Sequence, residues 1–556
     1  MRSTTETNNK SDGAPDLTAL AAPRKISTAS VLASAFPALL LATVCLLPYL
    51  NKAYLIDDPW FLMMSRQIVQ HPLHPMNFDV CWNTVENCSK AYEMTPGNSL
   101  MGYALVPTIL TGAQEWTAHL TQLVLVWIAI VAMTSLIFRF GWDRWHAMIG
   151  ALLLVAIPPF LPMASTAMPD ILATAVALVA MERLAAWKAE HKWTQGAAAA
   201  LALGLAGFAR SHLALLLPLA AFFLLDSINP RDILVELRRK LWLWSPVFAG
   251  FGILLALILA VREHNLALNP PPVVTGLWHI PPNLSAYLAY FVFPLPLAFC
   301  WMANRFKTKR PSFIFILIAV ALIPLFLHWS FLLVAFLAII GLRVLAGLFL
   351  QAFKKRDHTN LFLLLWILIP LPIVYYTHLP MKYVLPCIPA VILLCFRLLD
   401  DVSIRFARSA AFVLILAGAG YSLLILHSDA EFADFGRDTL VHLIQPRVAA
   451  GEKVWFPGQY WSYWYAPQAG ATLTYPDGPQ PKPGDLLVVD VYADSMGAHW
   501  PLGRFPHRTL VDSVVHKYRF GRTMGAGIGL YTNGAGFWLW GFGESDKDRF
   551  ELWRID

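Results

Sequence analysis

The chain has 556 residues, 57% of them hydrophobic and 14% charged, with a mean hydropathy of +0.54. Soluble domains carry about 25% charged residues, so most of this chain is excluded from water. The net charge of +7 falls in short basic clusters between apolar runs, which argues against a nucleic-acid surface and gives the pattern that orients a membrane protein.

Residues 1–27 form a polar, Ser/Thr-rich lead with Arg2, Lys10, Arg24 and Lys25, read as a cytoplasmic tail. The uncharged run Val31–Leu50 is longer than a signal-peptide core of roughly 7–15 residues, and Cys45-Leu46-Leu47-Pro48 is a poor cleavage site. It reads as an uncleaved first helix. Just beyond stand Asp57 and Asp58. Carboxylates at the hydrocarbon boundary lose solvation and mark sites where protons or polar substrates are handled; solvated acids at a helix end are the plainer alternative. The loop 51–98 contains PWFLMMSRQIVQ, patterned as an amphipathic helix lying along the interface. It also contains Cys81 and Cys88, which could pair as a disulfide if the loop lies outside the cytoplasm. Cys45, Cys300, Cys387 and Cys395 lie in or beside apolar segments and read as packing residues.

Further candidate spans follow at 115–138, 146–163, 171–187, 196–209, 212–228, 242–261, 285–303, 311–328, 330–352, 360–377, 383–398 and 409–427. With the first, at 28–50, they make about 13 spans on the criterion of about 20 apolar residues per crossing. The segment 99–113 is apolar but short. If it does not cross, the clusters at Arg139/Arg144, Arg183/Lys188/Lys192, Arg231–Lys240, Arg305–Arg310, Lys354–Arg356 and Arg397–Arg408 share one side. The positive-inside rule makes that side the cytoplasm, with the N-terminus inside and the C-terminus outside. From about 428 the sequence changes to short strand-like runs with Gly/Pro turns. The expected fold is therefore a polytopic α-helical membrane protein: a transmembrane domain over 28–427 and a small extracytoplasmic α/β domain over 428–556.

This topology collects Asp57, Asp58, Asp170, Arg210 with His212, Arg262 to His264, His328, and His378 with Lys382 and Tyr383 on the outer face. Each has a bland reading. Asp170 suits a helix N-cap, Arg210 and His212 a charged loop, and Lys382-Tyr383 a snorkelling Lys beside a belt Tyr. Together they suit acid/base chemistry on a phosphorylated, lipid-borne substrate. A carboxylate accepts the proton of an attacking hydroxyl, and Lys or Arg stabilises a phosphate leaving group.

The runs YLIDDPWFLMMSRQIVQHPLHPMNFDVCW, PGNSLMGYALVP, STAMPDILATAVALVAMERL and MKYVLPCIPAVILL resemble bacterial membrane glycosyltransferases of the GT-C superfamily. The nearest branch is glycosyltransferase family 39, which includes protein O-mannosyltransferases and the aminoarabinose transferases of lipid A. The resemblance covers the order of elements over roughly 30–400 and fits the tail domain only loosely. It implies a GT-C-like fold and transfer of a sugar from a polyprenyl-phosphate carrier, outside the cytoplasm and with inversion, to a protein or lipid acceptor. It implies that Asp57 is the base and that Asp58 stands where the family commonly has Glu. Asp170 matches an acid near the catalytic cavity. Lys382 and Tyr383 match candidates for the lipid phosphate, and Arg210 and His212 a basic position near the donor. Where family members often carry Asn-Pro-Pro, this chain has Thr95-Pro96-Gly97-Asn98.

The expected activity is an inverting glycosyltransferase of the cytoplasmic membrane, acting on a lipid, glycan or protein acceptor. Asp57, Asp58 and Asp170 are the catalytic candidates; Lys382, Tyr383, Arg210, His212 and Arg262 are the substrate-binding ones. The chemistry requires no cofactor, and a pair such as Asp57/Asp170 would suit Mg²⁺ or Mn²⁺ rather than zinc. The rival readings are a transporter or lipid flippase using the same acids for ion or proton coupling, and a non-catalytic assembly subunit.

Overall fold

The computed structural model describes residues 26–81, 88–94, 98–225, 241–261, 276–306, 330–400, 402–458, 460–491, 500–534, 536–545 and 547–556. The predicted span 311–328, the basic clusters at 231–240 and 307–310, Thr95 to Gly97, most of the N-terminal tail, and Arg262, His264 and His328 lie outside them. Among the described residues seven helices are long and apolar enough to cross a membrane: Thr28–Tyr49, Glu115–Arg139, Leu241–Ala260, Leu332–Lys355, His358–Tyr375, Met381–Leu399 and Ile404–Ala449. Arg144–Ala156, Trp193–Ala209 and Ser211–Leu224 are shorter apolar helices, and Asp170–Glu190 runs alongside them. The protein is a polytopic α-helical membrane protein.

Departures from the predicted spans follow proline, which cannot donate the helical hydrogen bond. The segment 146–163 stops at Ala156, and after Pro158-Pro159 only the short helix Phe160–Ala164 resumes. The segment 285–303 divides into Ile280–Tyr290 and Leu297–Phe306 around Pro294 and Pro296. The 99–113 segment forms two five-residue helices, Leu100–Ala104 and Val106–Leu110. At 1.5 Å per residue each rises only about 8 Å, far short of a crossing. They pack under the helix Asp58–Gln70 so closely that a Cβ on Gly102 would sit 2.7 Å from Met64 Sδ. That helix matches the expected PWFLMMSRQIVQ segment, but Trp60, Phe61, Leu62, Met64 and Ile68 are all buried in protein.

Within the bundle 78% of the apolar window of Met381–Leu399 is buried, against 22% for Ile404–Ala449, so the former is central and the latter peripheral. Exposed Phe36, Phe251, Phe336, Ile339, Phe412 and Leu416 give the spans an apolar outer surface, as lipid requires. Charge divides between the helix ends. Arg139 pairs with Glu182 at 2.6 Å and Glu190 at 3.0 Å, and Arg397 with Asp357 at 2.8 Å. Asp170 and Lys382 open the helices that end near Lys188 and Arg397, placing them at the opposite end of the bundle.

Ile404–Ala449 is one continuous helix of 46 residues, about 69 Å long and more than twice a hydrocarbon core. The expected domain boundary at 428 therefore falls inside a helix, which carries the chain from the bundle into the C-terminal domain. The domain contains a five-stranded mixed sheet in the order Thr472–Thr474, Val454–Pro457, Leu486–Asp490, Arg549–Ile555, Arg508–Val515. The first three strands are parallel, and Arg549–Ile555 is antiparallel to both its neighbours. Leu486–Asp490 is buried along its whole length, as a central strand should be.

The aromatic run Tyr460–Tyr465 docks the domain on the loop 51–98. Tyr463 Oη accepts from the Cys81 amide at 3.0 Å, Tyr465 Oη accepts from the Tyr54 amide at 2.7 Å, and Arg66 lies 4.0 Å over the Trp464 ring. Cys81 and Cys88 are disulfide-bonded, with Cα atoms 4.1 Å apart. The other four cysteines are buried, so an introduced surface thiol can be labelled selectively. In intact cells a Lys482→Cys protein should react with a membrane-impermeant maleimide and a Lys354→Cys protein only after permeabilisation. The reverse pattern would invert the topology.

Candidate active site

The site is built on a tight turn between the first span and the helix Asp58–Gln70. The Asp58 amide donates to the Leu55 carbonyl at 3.0 Å, and Asp58 Oδ2 accepts from the Leu55 amide at 2.9 Å. Between them Ile56 adopts a φ of 48°, a left-handed conformation that costs a β-branched residue about 1–3 kcal/mol. The other Asp58 oxygen accepts from the Ala167 amide at 2.7 Å, tying this turn to the loop before Asp170. Asp58 is fully buried. Burial pushes its carboxyl up to about 7, against the opposing effect of Lys52 and the two amides. Both oxygens are committed to backbone, so Asp58, grouped with Asp57 as catalytic in the sequence, acts here as a positioning residue.

Asp57 has the opposite environment. Its side chain is 43% accessible, so the carboxylate is left open to an incoming group. Burial raises its pKa, Lys382 opposes the rise, Asp170 adds to it and Arg210 opposes it. Lys382 Nζ lies 3.9 Å from Asp57 Oδ2. The lysine is buried, contacts Met168 Sδ at 3.4 Å, and lies 5.1 Å from the centre of the Tyr531 ring and 5.7 Å from that of Tyr383. Among the described residues its one ion-pair contact is thus the long one to Asp57. A buried ammonium ordinarily needs closer compensation, so this geometry suits an incoming anion.

The remaining candidates surround this pair. Arg210 Nη2 donates to Asp170 Oδ1 at 2.6 Å, and the guanidinium lies 4.4 Å over the Tyr383 ring. Asp170 Oδ2 and Arg210 Nε are buried with no hydrogen-bond partner among the described residues, as is His212 Nε2 on the short turn Ser211–Leu215. The Nε2 of His378 lies 3.2 Å from Tyr383 Oη. Burial, then the charges of Lys382 and Arg210, lower the His378 pKa to about 3, so its imidazole is neutral at ordinary pH. The structure therefore brings Asp57, Asp170, Arg210, Lys382 and Tyr383 together, with His212 beside Arg210; Arg262 is outside the described residues. Among the described residues no group of three His, Cys, Asp or Glu side chains is arranged to hold a metal ion. Arg210 and Lys382 supply positive charge to Asp170 and Asp57.

Behind Asp58 lies a network absent from the sequence candidates. Lys52 Nζ donates to Asp429 Oδ2 at 2.5 Å and to the carbonyl and hydroxyl of Ser165 at 3.1 and 3.2 Å. Asp429 also accepts from Tyr531 Oη at 2.8 and 2.9 Å and from Thr523 Oγ1 at 3.1 Å. Lys52 directly follows the first apolar run and Asp429 the last, the same boundary signal that singled out Asp57. Tyr531 gave no comparable signal, because it sits in the glycine-rich run GAGIGLYTNGAG.

No family model and no curated protein matches the chain. Solved structures similar to it include ArnT from Cupriavidus metallidurans in the apo state, at 15% identity over 88% of this chain and 96% of that one, with a TM-score of 0.47. The same protein bound to undecaprenyl phosphate aligns with a TM-score of 0.44, 15% identity, and 89% and 97% coverage. The oligosaccharyltransferase of Archaeoglobus fulgidus, tethered to an acceptor peptide, aligns with a TM-score of 0.45 and 15% identity over 87% of this chain and 73% of its own.

Asp58→Asn retains one acceptor but turns an NH₂ group toward a buried amide. It should destabilise the protein by about 2 kcal/mol, read as a lower melting midpoint in detergent. An unchanged midpoint would remove the clamp role.

Proposed function

We propose that the protein is a membrane glycosyltransferase that moves a sugar from a polyprenyl phosphate to a lipid, glycan or protein acceptor on the outer face of the cytoplasmic membrane. The observation that carries this reading is the pairing of an accessible carboxylate, Asp57, with a buried ammonium, Lys382, 3.9 Å away and otherwise poorly compensated. One group suits a base, the other an anion, and they face each other at 3.9 Å.

In the proposed step Asp57 takes the proton of the acceptor hydroxyl, whose oxygen forms a bond to the anomeric carbon from the face opposite the phosphate. The bond from that carbon to the phosphate oxygen breaks, and its electron pair leaves with the lipid phosphate. Lys382 stabilises the charge that develops there, in a setting where a fixed cation needs little reorganisation. Arg210, held by Asp170 and stacked on Tyr383, adds positive potential from the adjacent wall. The raised pKa of Asp57 suits a base, because it increases proton affinity while leaving the group ionised at higher pH. No step passes through a metal.

Asp57→Asn should reduce transfer from a polyprenyl-phosphate sugar by about 100-fold or more, with melting behaviour retained. Transfer at the wild-type rate would remove the base assignment. The base must be ionised, so activity should fall as pH drops through a pKa above the usual carboxylate range. Lys382→Met removes the nearest cation opposing that rise, so the acid limb of its residual kcat/KM should move to still higher pH. A limb that stays in place would uncouple the two groups.

A further inference from the structure

The C-terminal domain reaches the candidate site through residues 529–534, which connect the short paired strands Gly527–Ile528 and Gly536–Trp538. Glycine permits the close approach of these strands: a Cβ on Gly536 would fall 2.0 Å from the Gly527 carbonyl carbon. The base of the connection is anchored on the bundle. Phe537 stacks on Tyr290 at 5.5 Å, Trp538 meets Phe293 at 5.6 Å, and Trp540 Nε1 donates to Ser428 Oγ at 3.0 Å.

Its tip touches two walls of the site. On one side Tyr531 donates to Asp429, the partner of Lys52, and turns its ring toward the Lys382 ammonium. On the other side Asn533 Oδ1 accepts from the Leu379 amide at 2.7 Å, and Asn533 Nδ2 donates to Asn283 Oδ1 at 2.7 Å. Asn283 Nδ2 in turn donates to the carbonyls of Val374 at 3.1 Å and Tyr376 at 2.7 Å, and Tyr290 Oη donates to the Leu379 carbonyl at 3.2 Å. The two amide side chains therefore hold both ends of the link between the helices His358–Tyr375 and Met381–Leu399, three residues before Lys382.

We infer that Asn533 is a positioning residue: the C-terminal domain, through Asn533 and Asn283, fixes the segment that places Lys382 opposite Asp57. This rests on the reading of Lys382 and Asp57 given above. The domain is then a structural part of the site. Tyr531 braces the same tip on the Lys52–Asp429 pair, so the wall carrying Asp57 and the wall carrying Lys382 are held at a set separation by one loop.

The test uses the full-length protein in detergent and needs no substrate for its first arm. In Asn533→Ala, which removes the half-buried hydrogen bonds to the Leu379 amide and to Asn283, hydrogen exchange over residues 374–383 should quicken by about tenfold or more, while the central strand Leu486–Asp490 exchanges at the wild-type rate. Asn533→Asp keeps the acceptor for the Leu379 amide but sets a carboxylate against Asn283 Oδ1, so it should restore protection at the Leu379 amide and not at the Asn283 end of the segment. In the second arm, kcat/KM for a polyprenyl-phosphate sugar should fall about tenfold in Asn533→Ala at equal folded fraction. The loss in the double variant with Asn283→Ala should be smaller than the sum of the two single losses. Unchanged exchange over 374–383, or a kinetic loss no greater than the loss of folded protein, overturns the inference. Transfer that survives Asp57→Asn overturns the functional reading instead, and the exchange arm then still decides whether Asn533 holds the segment.

Discussion

The buried ion pair between Lys52 and Asp429 is the contact on which the site's architecture depends. It joins the end of the first span to the long helix and, through Tyr531 and Thr523, to the C-terminal domain. Both side chains are fully buried, so each leaves a large desolvation cost uncompensated if its partner is removed, on the order of 3–5 kcal/mol. All three directed contacts of the ammonium are to protein acceptors, and both carboxylate oxygens of Asp429 are engaged. A buried network this complete specifies one arrangement of its elements, because any other leaves charge unpaired. The turn that presents Asp57 begins three residues after Lys52 and inherits that fixed position.

Two neighbouring acids acquire different work from the way this turn starts a helix. Asp58 points back into protein, where two amides and the nearby Lys52 absorb its charge. Asp57 stays partly accessible, with the nearest cation 3.9 Å away. The left-handed Ile56 turns the chain just before them, inside the Leu55–Asp58 clamp.

Part of this was legible from residues alone. The helical membrane architecture followed from uncharged length, the short helices of 99–113 from its limited apolar length, and the closeness of Asp57 to an apolar boundary from sequence order. The same rule would have found Lys52 and Asp429, which border the first and last runs, had burial of both been apparent. It was not, because pairing across 377 positions is a property of packing. The proline breaks near 158 and 294 shortened predicted spans that hydropathy alone had drawn as continuous. The role of Asn533 and Tyr531 had no sequence signal: an Asn and a Tyr among glycines read as a turn, and only the fold brings them against Leu379 and Asp429. Composition changes at about 428, whereas the helix Ile404–Ala449 runs through that point without a break.

The central claim, that Asp57 and Lys382 form a sugar-transfer site, is met most directly by profiling lipid-linked sugars in cells lacking the protein and complemented with the wild-type or Asp57→Asn chain. The account predicts that one polyprenyl-phosphate sugar accumulates without the protein, is consumed on wild-type complementation, and still accumulates with Asp57→Asn at equal protein level. A profile that is the same in all three strains, or that Asp57→Asn restores fully, would contradict it.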